Sequence, residues 1–192
     1  MAFMITAKKF IILDRDGVIN QDSPDFIKSP KEWIPIPGSL EAIARLNAAG
    51  FRVLVTTNQS GIGRGLLTHA AFEQIQDKFM TQLKDLGGEI EKCYFCPHTS
   101  TDNCACRKPK PGLLYQIAKD YAIDFTHTPL YCIGDSLRDL QAALATSCMP
   151  VLVGTGNGLK THVNLPLELQ NTPFYPDLAH AVSAIIEKKI SC

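Results

Sequence analysis

Several things are missing from this sequence, and each absence removes a class of protein. Charge is balanced, with 19 Lys and Arg against 19 Asp and Glu, so no basic footprint for nucleic acid or an anionic membrane is visible. No apolar run approaches the ~20 residues that span a bilayer. There is no internal repeat, linker or low-complexity segment. A chain of 192 residues, 45% of them hydrophobic, then fits a single domain, 1–192, with ample material for a core. A secretion signal would place its lysines first, whereas Phe3-Met4-Ile5 precede Lys8-Lys9. A cytoplasmic monomer is expected, with no nucleic acid and no membrane as partner. In that compartment the seven cysteines should stay reduced, and their clustering suggests metal rather than disulfides.

What the sequence does contain is organised around Phe10-Ile11-Ile12-Leu13-Asp14-Arg15-Asp16-Gly17-Val18-Ile19, closed by Asn20. Four apolar residues in a row read as a strand buried on both faces. Two acids spaced i, i+2 follow, and extended geometry points both to one side. Gly17 then lets the chain turn sharply. Paired carboxylates repel unless a hard cation such as Mg2+ or a shared proton intervenes, and a metal-bound carboxylate can attack phosphorus. Taken alone, Asp-x-Asp fits a strand with a polar turn equally well, so the remaining motifs decide.

After a proline-broken stretch, Asp22 to Pro37, in which Trp33 should be a buried packing residue, Ser39 is expected to cap a helix with the stripe Leu40, Ile43, Ala44 and Leu46. A second strand, Phe51 to Val55, runs into Thr56-Thr57-Asn58-Gln59-Ser60-Gly61, whose hydroxyls, amides and backbone N–H groups suit phosphate oxygens. Gly61, Gly63 and Gly65 suggest a mobile or closely approached loop. Thr68 should cap a longer helix with the stripe Phe72, Ile75, Phe79, Leu83 and Leu86, and Cys93-Tyr94-Phe95 a short strand. Next come Cys96, His98, Cys104 and Cys106, two pairs spaced i, i+2 that can surround a tetrahedral zinc with three thiolates and one imidazole. Chance clustering of free cysteines is the alternative. With all four positions filled by protein, such a site would be structural, a zinc loop over 96–108. It leads directly into Arg107-Lys108-Pro109-Lys110-Pro111-Gly112. Arg107 and Lys108, cations held by stiff backbone near a helix start, suit a phosphoryl group, while Lys110 reads as a solvated surface lysine. A fourth strand, Leu130 to Ile133, ends in Gly134-Asp135. Asp135 can complete a magnesium site, and Asp139 can orient the metal's water or a lysine. A helix with Leu140, Ala143 and Leu144, a strand Val151–Val153, a glycine loop and a helix capped by Asp177 close the chain.

Strand-helix alternation with polar groups at successive strand ends implies an α/β fold: a parallel, Rossmann-like sheet with helices on both faces. Asp14-Arg15-Asp16-Gly17, Thr57-Asn58, Lys108 and Gly134-Asp135 with Asp139, in that order, resemble the haloacid dehalogenase superfamily of phosphohydrolases. That resemblance implies Asp14 as nucleophile, Asp16 as acid and base, Thr57 and Lys108 as stabilisers of the transferring oxygens, and Mg2+ held by Asp14, the backbone carbonyl of Asp16 and Asp135. The intervals where relatives insert a large cap domain hold no room for one, so specificity should come from Asp22–Asp25, Gln59–Arg64 and the zinc loop. Together with the Cys/His knot and Arg107 to Gly112, the motifs resemble the heptose 1,7-bisphosphate 7-phosphatase family. This implies a sugar bisphosphate partner in lipopolysaccharide or S-layer heptose synthesis, Mg2+ and Zn2+ as cofactors, and substrate contacts at Asp22, Ser23, Pro24, Asp25, Thr57, Asn58, Gln59, Ser60, Arg107 and Lys108. Histidinol-phosphate phosphatases carry a related zinc loop and are the alternative. A phosphoacceptor signalling domain also uses acids, a Thr and a Lys, but Asp16 and the knot argue against it. A nucleic-acid end phosphatase shares the motifs, but balanced charge argues against it.

Overall fold

The computed structural model describes residues 9–125, 127, 128 and 130–190; the Phe3-to-Lys8 segment weighed as a signal lies outside them. The four-residue apolar run becomes β1 (Lys9–Leu13), with Phe10, Ile11, Ile12 and Leu13 all buried. It lies between β2 (Phe51–Asn58) and β4 (Tyr131–Gly134) in a six-stranded sheet of order β3-β2-β1-β4-β5-β6, completed by β3 (Lys92–Cys96), β5 (Met149–Val153) and β6 (Phe174–Tyr175). Every pairing is parallel, with Ile11 opposite Val53 on one side and Tyr131 on the other.

Because side chains alternate across a strand, Ile11 and Leu13 enter one apolar layer and Phe10 and Ile12 the other. The first layer is covered by α1 (Ser39–Ala48), α3 (His69–Asp85) and α7 (Leu178–Ile186), the second by α4 (Gly112–Tyr121) and α5 (Leu137–Leu144). Short helices α2 (Ser60–Gly63) and α6 (Gly158–His162) follow β2 and β5. The chain leaves β1 toward β2 and β3, then returns to its other side as β4. The carboxyl ends of β1 and β4 therefore flank the crevice where open α/β sheets place their ligands.

Most expected elements form, for local reasons. Thr68 accepts from the Ala71 N–H and Asp177 from the His180 N–H at the starts of α3 and α7. Ser39 does not cap α1. Gly38, at φ +81°, holds that position, and the Ser39 hydroxyl instead donates to the Ile19 carbonyl at 2.6 Å, tying α1 to the loop after β1. Leu86 and Leu144, expected in apolar stripes, are 45% and 47% exposed because each falls at the end of its helix. Gly63 is closely approached rather than part of an open loop. It donates to the Pro97 carbonyl at 2.9 Å, leaving no space for a Cβ. Trp33 is fully buried against Phe79, and Lys78 donates to the Pro30 and Trp33 carbonyls, pinning the proline stretch to α3. Strand β6, only two residues long, gave no periodic signal. Among the described residues no interval between strands carries a separate globular insertion, so the strand ends open into a cleft without a large cap.

Candidate active site

The cleft, about 210 Å³, lies beyond the ends of β1, β2 and β4 and is lined by residues including Asp14, Asp16, Asp22, Ser23, Thr57, Asn58, Gln59, Ser60, Arg107, Lys108 and Asp135. Nearly all the site residues expected from sequence converge there. Pro24 and Asp25 do not. The Ser23 hydroxyl turns back onto the Asp25 N–H at 3.2 Å, and both residues face solvent.

Asp14 leaves the end of β1 beside Lys108. The Lys108 Nζ donates to Asp14 Oδ1 at 2.8 Å and to the Thr56 carbonyl at 2.9 Å, and pairs with Asp139 Oδ1 at 2.6 Å. The lysine is only 5% exposed. Burial works against its charge, but Asp139 and Asp14 outweigh it and push its pKa above the ordinary value. Asn58 fixes this lysine from below: its amide donates to the Lys108 carbonyl at 3.0 Å and accepts from the Lys108 N–H at 3.1 Å. Asn58 thus positions Lys108 while also lining the cleft. Asp139 accepts from the Ser136 N–H and hydroxyl, closing a capping box on α5. Of the two roles open to Asp139, the structure shows the lysine.

Asp14, Asp135 and Asp139 bring carboxylate oxygens within 4.8 Å of one another. Lys108 is the cation that pairs directly with this cluster, and Asp135 is further held by the Asn157 N–H at 2.7 Å. Burial and the neighbouring Asp139 push Asp135 up to about 6. Burial first, then Asp139, raise Asp14 well above the usual carboxylate range, against the lowering effect of Lys108. Carboxylates gathered in this way can hold a divalent cation. Gly17 at φ +85° and Gly156 at φ +57° pack so closely on the Asp135 carboxylate that a Cβ at either would collide with it.

The Asp16 side chain does not share one side with Asp14, as the i, i+2 spacing suggests it would, and lies outside this acid cluster. Its Oδ1 accepts from Arg15 Nε at 3.2 Å and Asn20 Nδ2 at 2.9 Å, and its Oδ2 from Gln59 Nε2 at 2.7 Å and the Thr57 hydroxyl at 3.3 Å. These donors hold the Asp16 carboxylate outside the cluster of Asp14, Asp135 and Asp139. Burial alone would raise Asp16, but Arg15 and the hydrogen bonds from Asn20 and Gln59 hold its carboxyl below the usual range. Arg15 itself is 1% exposed, with its remaining donor on Gln76 of α3 at 3.2 Å and its guanidinium over the Phe72 ring. Sequence reasoning assigned no role to Arg15, Gln76, Arg138 or Asn157. The placement of Arg15 between two acids, and of Asn157 in a glycine loop at a strand end, were the available signals.

The Cys/His knot stands at the edge of the cleft. Cys96 Sγ lies 3.6 Å from His98 Nδ1, 3.6 Å from Cys104 Sγ and 3.2 Å from Cys106 Sγ, and Cys106 Sγ lies 3.5 Å from Cys104 Sγ and 3.2 Å from His98 Nδ1. These separations are far beyond the ~2.05 Å of a disulfide, and near the ~3.8 Å edge of a tetrahedron with metal–sulfur bonds of ~2.3 Å. Arg107 leaves the knot with its Nη1 on the His98 carbonyl at 3.2 Å, whereas Lys110 turns back to Asn103.

A parallel sheet that gathers an acid pair, a threonine, a buried lysine from the loop after β3 and two further acids at and beyond the end of β4 defines a phosphohydrolase of the haloacid dehalogenase-like class. Residues 9–144 match the family model described as Polynucleotide kinase 3 phosphatase. The D-glycero-beta-D-manno-heptose-1,7-bisphosphate 7-phosphatase of Bordetella bronchiseptica is 49% identical over 94% of this chain and 99% of its own length. That of Pseudomonas aeruginosa is 48% identical over 94% and 99%. A crystal structure of the B. bronchiseptica D,D-heptose 1.7-bisphosphate phosphatase, complexed with magnesium and phosphate, matches with a TM-score of 0.88 over 94% of this chain and 99% of that one. The chain belongs to the D-glycero-beta-D-manno-heptose-1,7-bisphosphate 7-phosphatase family, and it is a phosphatase.

Proposed function

We propose that this phosphatase removes the 7-phosphate of D-glycero-D-manno-heptose 1,7-bisphosphate through an aspartyl-phosphate on Asp14, within cytoplasmic heptose synthesis for lipopolysaccharide. The observation that carries the chemistry is the contact of Lys108 Nζ with Asp14 at 2.8 Å inside a cluster of buried acids. Relatives near 50% identity named for this reaction support the substrate.

Magnesium fits the acid cluster, because the carboxylates of Asp14, Asp135 and Asp139 converge there and burial together with neighbouring acid raises Asp14 and Asp135. Asp14, Asp135 and the Asp16 backbone carbonyl would hold it, leaving Asp139 to Lys108. Bound there, it supplies charge neutralisation for nucleophile and phosphate. Lys108 and the Thr57 hydroxyl bind the transferring oxygens. An Asp14 carboxylate oxygen attacks phosphorus in line as the bond to the sugar oxygen breaks, and Asp16 gives that oxygen its proton. The phosphate dianion beside Asp16 favours the protonated form needed for this step. Water then attacks the aspartyl-phosphate, Asp16 takes its proton, and phosphate leaves. Zinc fits the four knot donors and would be structural, since no position is open to substrate; Arg107 and Lys108 are oriented by their departure from it.

The test is phosphate release from the heptose bisphosphate and from histidinol phosphate, with phosphorus NMR to identify the position cleaved. Preferential loss of the 7-phosphate is expected. Faster turnover of histidinol phosphate, or loss of the 1-phosphate, would overturn the substrate assignment.

A further inference from the structure

Four cations line the cleft, and they differ in what neutralises them. Arg15 is paired with Asp16, and Lys108 with Asp14 and Asp139. Arg107 touches a carbonyl but no carboxylate. Arg138 has no hydrogen bond or ion pair among the described residues and stands exposed. Its position is unfavourable for the fold. It is the second residue of α5, where a cation meets the positive end of the helix dipole. The adjacent Asp139 does not compensate it, because that carboxylate is engaged with Ser136 and Lys108. An anion bound nearby would supply what the fold withholds.

The cleft shows where such an anion would lie. Arg107 and Arg138 both line the main cleft, and both also line the adjoining groove of about 320 Å³ beneath the knot. They approach this junction from different elements, Arg107 from the loop after β3 and Arg138 from the start of α5. Two planar forks facing one space suit a phosphoryl group, which each can grip bidentately. We propose that Arg138 is a specificity-determining residue that completes, with Arg107, the site for the second phosphoryl group of the substrate. This rests on the bisphosphate reading above and deepens it: the reacting phosphoryl group sits at Asp14 while the other is held at the junction of cleft and groove.

Steady-state kinetics of the magnesium-loaded wild type, Arg138→Ala and Arg138→Lys on the heptose 1,7-bisphosphate and its 7-monophosphate test this. Arg138→Ala should lower the bisphosphate-to-monophosphate ratio of kcat/KM about 10-fold or more, mainly through KM. Arg138→Lys should recover part of the ratio, having the charge without the fork. Arg138→Ala should melt no lower than wild type, since it removes an unpaired cation from a helix start, and this separates a binding role from a structural one. If wild type prefers the bisphosphate and Arg138→Ala keeps that preference, the proposal is overturned and the substrate reading stands. If wild type shows no such preference, both fall. Equal loss on both substrates would make Arg138 a general attractor of anions and would also overturn the proposal.

Discussion

The protein holds two tight clusters of polar side chains, and they are built in opposite ways. The knot takes its four donors from Cys96 to Cys106, one short loop, while the acid cluster takes Asp14 and Asp135 from the ends of β1 and β4 and Asp139 from the first turn of α5. In the knot the thiols partner one another. Burial pushes Cys96 up to about 12, while around Cys104 hydrogen bonds from Cys106, the Arg107 backbone and Cys96 overcome burial and hold it down to about 7. In the acid cluster Lys108 pairs with Asp14 and Asp139, and burial with the neighbouring acids still raises Asp14 and Asp135. On the proposed function, the closed cluster made by one loop serves structure and the open one made by the sheet serves chemistry, where the frustration that costs stability would bind metal and substrate.

The comparison is most sharply broken at Asp14. Asp14→Asn should lower turnover by more than ~10⁴-fold, since an amide cannot act as the nucleophile, while circular dichroism and melting show the fold intact. Measurable phosphoenzyme in that variant would remove Asp14 from the mechanism. Asp16→Asn, which keeps the shape but not the proton transfer, should cost ~10²–10⁴-fold in kcat, with the alkaline limb of the pH profile lost. An unchanged profile would assign acid–base work elsewhere.

At the knot the expected effect is smaller and indirect. One zinc should co-purify, and Cys104→Ser should loosen residues 96–108 in hydrogen exchange and lower activity on the order of 10-fold by misplacing Arg107 and Lys108. Elemental analysis that finds no zinc in protein prepared without chelator would refute a structural metal there.

The pH response should be smaller still and opposite in sign with and without metal. The raised pKa of Asp135, about 6 against 3.8, contributes stability that is fully present below about pH 4 and is lost as pH rises through 6. Metal-free protein should therefore lose part of its melting temperature across that window. Magnesium binds the ionised form, so the melting shift it produces should be larger at pH 7.5 than at pH 5. Equal shifts at both values would show that the metal does not rest on Asp135.

What the sequence by itself determined is whatever depends on neighbours in the chain. The buried central strand follows from an unbroken apolar run at Phe10–Leu13, the starts of α3 and α7 from Thr68 and Asp177, and the knot from donors spaced i, i+2 within one loop. The order of acidic, threonine, lysine and acidic motifs, three of them at strand ends and the lysine coming from the loop after β3, was enough to locate the cleft. Tertiary structure alone decided how those groups divide their partners. Asp14 and Asp16 are two residues apart, yet Asp14 faces Lys108 while Asp16 is turned to Arg15, Asn20, Thr57 and Gln59. Asn58 secures a lysine backbone 50 residues away, and Gln76 of α3 anchors Arg15. Ser39 prefers a carbonyl across the fold to its own helix end. A polar side chain can satisfy itself locally or at a distance for similar energy. The choice is made only when the sheet has brought the distant partner within hydrogen-bonding reach.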